Sequence, residues 1–188
     1  MNRGGGRVVL LAALLAASAL GCGDSNEGSG RDTRNVRLAA VIKALDNPFF
    51  VTMRDGLVAS ARQYDARLRV AAAPSGLQDT AGQASALQSL AARRPACYVV
   101  NPINPTNLIR ALANVPDETP IVNVDSVIGK QPAKAVGVEI TSYIGTDNAA
   151  GGKRGADAMA ALVDRGARVA VITGIPGDVG SGARARPA

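Results

Sequence analysis

From Val36 onward, short apolar runs alternate with stretches whose apolar residues recur every three or four positions. Val36–Leu45, Leu68–Ala72, Cys97–Val100 and Ile121–Val124 read as strands, Ala135–Val138 as a short fifth, and Ala167–Thr173 as a further strand. Between them, Pro48–Tyr64, Thr80–Arg93, Thr106–Asn114 and Asn148–Val163 read as helices. In the first, Pro suits the opening turn, and Phe50, Met53, Leu57, Ala61 and Tyr64 share one face. In the second, Ala84, Leu87 and Leu90 do so, with Ala91 beside them. Strand-helix alternation with continuously apolar strands predicts an α/β fold, a parallel sheet covered by helices on both faces. Ligands of such sheets bind at the carboxyl ends of the strands. The segments that matter are therefore Asp46–Phe50, Ala73–Asp79, Asn101–Asn104, Asp125–Gly129 and Gly174–Arg186.

A different pattern precedes the body. Val8–Leu20 is an uncharged run of 13 residues behind Arg3 and Arg7. A bilayer crossing takes about 20 residues, so this run fits the core of a signal peptide over residues 1–21. The basic flank and the polar stretch that follows argue against a buried core helix. Ala19-Leu20-Gly21-Cys22 resembles the bacterial lipoprotein signal, which implies cleavage before Cys22 and lipid on its thiol. Ala19 departs from the usual Leu, and a plain signal cut nearby without lipidation is the alternative. Residues 22–35 are polar after Cys22 and suit a flexible tether.

Composition removes several chemistries. The 188 residues include no histidine and two cysteines, which excludes Ser-His-Asp and Cys-His catalysis and His-based or Cys-only zinc sites. No catalytic residue, metal site or cofactor is assigned. Gly180-Ser181-Gly182-Ala183-Arg184-Ala185 fits a loose dinucleotide fingerprint but begins several residues past its strand, and no phosphate-loop Gly-Lys-Ser/Thr exists. The net charge is +6, or +4 without Arg3 and Arg7, and the basic residues are scattered, so no nucleic-acid partner is assigned. Cys97, ahead of an apolar strand, reads as a small buried thiol.

What remains is binding chemistry. A sugar in water is held by aromatic faces against its C–H groups and by amides, carboxylates and guanidinium groups on its hydroxyls. Asp46-Asn47-Pro48-Phe49-Phe50 places both phenylalanines of the chain beside Asn47 after the first strand. Asn47 can equally cap the helix while the rings pack inward, and Phe50 is the ring expected to serve the core. Asn101-Pro102-Ile103-Asn104-Pro105 is strong turn chemistry as well as a source of amides, and Asp125-Ser126 offers a carboxylate after the fourth strand.

Together these pieces resemble the periplasmic sugar-binding proteins of the ribose-binding type, the receptors that feed ABC transporters. The resemblance runs through Asn47-Pro48-Phe49-Phe50, Val100-Asn101-Pro102, Val122-Asn123-Val124-Asp125, Gly145-Thr146-Asp147-Asn148 with Gly151-Gly152, and Gly174-Ile175-Pro176-Gly177. It implies a periplasmic-binding-protein type I fold, with two Rossmann-like lobes closing on a solute by a hinge. On that likeness, residues 36–146 are the first lobe and 147–188 the start of a second, apparently truncated. Asn47 and Asp125 would hydrogen-bond the solute, Phe49 and Phe50 flank it, and Asn101 and Ser126 line the same mouth. Arg184 or Arg186 would add a guanidinium from the second lobe. Ribose binders carry Arg directly after the Asp where this chain has Ser126, so the likeness implies a sugar or polyol without fixing ribose. The expected function is an extracytoplasmic lipoprotein, anchored to the cell membrane, that delivers its solute to an ABC transporter permease. A sensor presenting the solute to a membrane receptor would use the same pocket, and an inactive fragment of such a receptor is the second alternative.

Overall fold

Five strands, β1 (Arg37–Ile42), β2 (Arg67–Ala72), β3 (Cys97–Val100), β4 (Ile121–Val124) and β5 (Ser142–Ile144), form one sheet in the order β2-β1-β3-β4-β5. Every pairing is parallel. The structure is a computed structural model and describes residues 35–186. The leader, Cys22 and most of the expected tether lie outside the described residues.

Two helices complete the central crossovers, α1 (Pro48–Gln63) from β1 to β2 and α2 (Thr80–Ala91) from β2 to β3. The first moves to one side of β1 and the second back past it, so right-handed connections place them on opposite faces. On the α2 face, Ala39, Val41, Tyr98 and Val100 pack with Leu87 and Leu90, and with Ile109 and Leu112 of the short helix α3 (Ile109–Leu112). Each large apolar side chain removed from water there contributes about 1.5–3 kcal/mol. Alternation along β1 turns Ala40 and Ile42, both buried, to the α1 face. The strand order reverses between β1 and β3, and in such folds that switch point is where ligands sit.

Local chemistry explains where the sequence-based elements shift. Expected strand 135–138 is instead the end of helix α4 (Lys130–Lys134). Gly137, at φ 76°, closes it, with its N–H on Lys134 and the Val138 N–H on the Ala133 carbonyl. The fifth strand is β5, which pairs with β4. The helix expected at 106–114 shortens to α3, because the Asn104 side chain accepts the N–H groups of Thr106 and Asn107 and holds a turn. The strand expected at 167–173 does not form: no described strand lies beside it, and Val169, Val171 and Ile172 are exposed. Helix α5 (Asn148–Ala160) is followed by α6 (Val179–Ala185), where a loop was expected. These two pack together so closely that a Cβ on Gly152 would collide with the Arg184 backbone.

Candidate functional site

The carboxyl ends of β1, β3 and β4 converge on one group of polar side chains, and each is aimed by local hydrogen bonds. Asn47 caps α1: its Oδ1 accepts the Phe49 N–H at 2.9 Å, which fixes where the aromatic pair begins. Phe50 turns into the core, whereas Phe49 is 56% exposed, their rings meeting edge to face at 5.2 Å. Phe49 thus stands in the open mouth, while Phe50 packs inward and still borders the cleft.

Asp125 stands at the end of β4 with φ 58°, a left-handed conformation that Asp tolerates better than most residues. Buried Asn123 holds that turn: its amide donates to the Val100 and Ser126 carbonyls and its Oδ1 accepts the Ile128 N–H. Tyr143 adds a 2.8 Å bond to the Asp125 carbonyl. Burial and then the nearby Asp125 charge raise the Tyr143 phenol above its usual range. Asp125 Oδ2 accepts from Asn101 at 3.3 Å and Ser126 Oγ at 3.4 Å, while Oδ1 has no partner among the described residues.

Asn101 therefore lies fully buried beneath Asp125 rather than on the cleft surface, while Ser126, 9% exposed, reaches the cleft only at its edge. Asn101 Nδ2 also meets Met53 Sδ at 3.5 Å, and its Oδ1 is buried without a partner among the described residues. Behind them sits a side chain the sequence reading passed over. Gln83, fully buried, donates to the Asn101 carbonyl at 2.8 Å, and its Oε1 accepts from Ile103 N–H and Asn107 Nδ2. It lies on the buried face of α2, four residues before Leu87, and a polar residue on such a face was its signal.

Lys43 is the other residue missed, the second cation after Arg37 inside the run expected as the first strand. The chain leaves the sheet at Ile42, and the Lys43 side chain, 8% exposed, points into the cleft. Its Nζ lies 3.2 Å from Asp178 Oδ2, 4.0 Å from Asp125 Oδ2 and 5.7 Å from the Phe50 ring centre. Asp178 is the N-cap of α6, its Oδ1 accepting both the backbone N–H and the hydroxyl of Ser181 at 2.7 Å. Burial pushes the Asp178 carboxyl upward, but Ser181 and the Lys43 ammonium outweigh it and hold the group below its ordinary value.

Two cavities share Lys43, Phe50 and Asp178. One, of about 220 Å³, is lined further by Phe49, Asp125, Ser126, Asn148 and Arg184. The other, of about 580 Å³, includes Asn47, Gln78, Asn104 and Ser181. The ion pair stands between them. Of the two candidate arginines, Arg184 borders this cleft, while Arg186 borders a separate hollow among residues 171–186.

A rim of parallel strand ends lined by an exposed ring, an amide, a carboxylate and a guanidinium is a setting for a polyhydroxylated solute. Residues 38–186 match the model of the periplasmic binding protein domain. The chain belongs to the periplasmic binding protein family. Among its relatives is the ribose import binding protein of Haemophilus influenzae, 30% identical over 168 residues, covering 89% of this chain and 53% of that one. The periplasmic solute-binding protein of Actinobacillus succinogenes with bound D-allose superposes with a TM-score of 0.71 at 27% identity, over 79% of this chain and 52% of that one. The Caulobacter myo-inositol binding protein, bound to myo-inositol, gives 0.68 at 28% identity over 80% and 48%. The chain spans about half the length of the curated relatives it matches. The expected parallel α/β fold of this family is thereby established.

Proposed function

We propose that this periplasmic binding protein holds a neutral sugar or polyol at the β1/β3/β4 rim and serves an ABC importer outside the cytoplasm, anchored through lipid on Cys22. The observation that carries the reading is the cleft itself. Exposed Phe49 offers a C–H-facing surface, Asp125 Oδ1 and the Asn47 amide hydrogens offer hydroxyl partners, and Arg184 approaches from α6. Relatives seen with D-allose and with myo-inositol carry one ligand of each class, which supports the same chemistry here. Asn101 and Ser126 act by orienting Asp125, and Lys43 adds the cation that offsets its charge. Arg186 is left outside the proposed contacts. Relatives named as import and periplasmic binding proteins support the importer and the extracytoplasmic location.

Saturation-transfer NMR against a panel of pentoses, hexoses and inositols tests the reading, because it detects weak as well as tight binding. Transfer to at least one member, lost in Asp125→Ala, is expected. A panel with no transfer, or transfer unchanged in that variant, overturns the proposal.

A further inference from the structure

The opposite rim of the sheet carries a different chemistry. Arg37 opens β1, Arg67 and Arg69 lie on β2, and Arg93 and Arg94 follow the end of α2. All five are exposed, and they surround an open hollow of about 710 Å³ whose apolar wall includes Leu38, Leu68 and Leu90. Arg37 and Arg67 are direct partners in the β1/β2 register, and Arg69 follows on the same face. Among the described residues none of the five has a carboxylate within ion-pair distance. Arg37 donates instead to the Arg94 carbonyl at 3.4 Å and Arg67 to Asn35 Oδ1 at 3.0 Å.

Like charges held side by side repel one another, so the cluster costs the isolated fold stability. Structural roles account for part of it. Cations suit the carboxyl end of α2, and charges on the edge strand β2 discourage pairing with another chain. Neither accounts for Arg37, on an interior strand between β2 and β3.

A second observation says what this rim faces. The Asn35 N–H bonds to the Asp65 carbonyl at 2.9 Å and the Arg67 N–H to the Val36 carbonyl at 2.8 Å. The described chain therefore begins beside Arg67, at the arginine rim. Whatever path it takes, the chain from Cys22 to Asn35 cannot span more than about 45 Å.

We propose that this arginine rim docks on anionic phospholipid headgroups of the membrane that holds the tether. Guanidinium groups bind phosphodiester oxygens in paired hydrogen bonds, and the apolar wall suits the headgroup boundary. The orientation rests on the reading of Cys22 as the anchor; the lipid contact does not. Residues 23–188 keep every described residue and all of the compact unit that begins at Asp32, and lack the acylation site.

That protein is sedimented with vesicles of phosphatidylcholine, alone or mixed with phosphatidylglycerol. It is expected to pellet with the mixed vesicles only and to be released as salt rises from about 0.05 to 0.5 M, where screening collapses to a few ångströms. Each arginine near an anionic surface is worth about fivefold in affinity. Arg93→Gln and Arg94→Gln should each weaken binding about fivefold, and Arg67→Gln/Arg69→Gln/Arg93→Gln roughly a hundredfold. Arg165→Gln/Arg168→Gln, equally exposed but outside the hollow, should bind as the parent does. No pelleting with mixed vesicles, equal pelleting with both kinds, or equal losses in the control and rim variants overturns the proposal. Failure of Cys22 to carry lipid would leave this measurement unaffected.

Discussion

Lys43 Nζ and Asp178 Oδ2, 135 residues apart in the chain and 3.2 Å apart in space, join the end of β1 to the N-cap of α6. The other oxygen of that carboxylate caps the helix, so one side chain both starts α6 and docks it. Lys43→Met keeps the length of the side chain and removes the charge. Losing a charged hydrogen bond costs about 1–3 kcal/mol. Amide exchange in residues 174–186 should accelerate accordingly, with β1 and β3 little changed. Unaltered exchange there would show that the pair does not hold the segment.

The same carboxylate predicts a response to acid. Its folded pKa lies below its unfolded value, ordinarily about 3.9. Its contribution is therefore complete above that value and fades as pH falls through the lower folded one. Amide protection of the α6 segment should hold from neutrality to about pH 4 and then fall, and Asp178→Asn should abolish the dependence. A loss centred above pH 5 would assign it to other groups.

Asn47 and Asp125 should each lose about 1–3 kcal/mol of solute affinity on replacement by Ala. Asp125 separates the causes further. At φ 58°, Asp125→Gly relieves the backbone while removing the carboxylate, whereas Asp125→Ala retains a Cβ in the left-handed region. Thermal melting should rank Gly above Ala, and titration with solute should show both defective. Wild-type affinity in either carboxylate-free variant removes Asp125 from the contact set.

Gln83→Leu should destabilise the chain by about 2–4 kcal/mol, because the Asn101 carbonyl, Ile103 N–H and Asn107 amide each lose a partner. Urea denaturation followed by circular dichroism measures it. A variant as stable as the parent would mean that the β3–α3 loop is held by Asn104 and Asn107 alone.

Cys22→Ala tests the anchor. Fractionation should move the protein from the membrane pellet toward the soluble extracytoplasmic fraction, and metabolic labelling with a fatty acid should fall to background. Unchanged labelling would exclude Cys22 as the acylated residue.

The central strands β1, β3 and β4 were legible because they are largely covered on both faces and therefore read as apolar runs, whereas β5 is exposed and carries no such run. The same signal misled at 167–173, where an apolar run has no neighbouring strand to complete its ladder. It misled again at 135–138, where Gly137 and Val138 terminate α4 instead. In the site, Phe49, Phe50 and Asp125 were visible as chemistry placed after strands. Lys43 was hidden because it stands inside an apolar run, and Gln83 because burial of an amide depends on three partners from another loop. The division of labour between Asn101, which is buried, and Asp125, which is not, depends on the turn built by Asn123, and spacing alone does not encode it.

Strand β1 carries both ends of the account, Arg37 at one end and Lys43 just past the other. Six residues of strand span about 20 Å, which sets the depth of the sheet between the first described residues and the cleft rim. A pull on the amino-terminal chain loads β1 at its start, in shear along the β2 and β3 ladders, rather than peeling the cleft residues apart. The cleft is thus mechanically insulated from any load on the amino-terminal chain, and changing the length or composition of residues 23–34 should leave solute affinity unchanged.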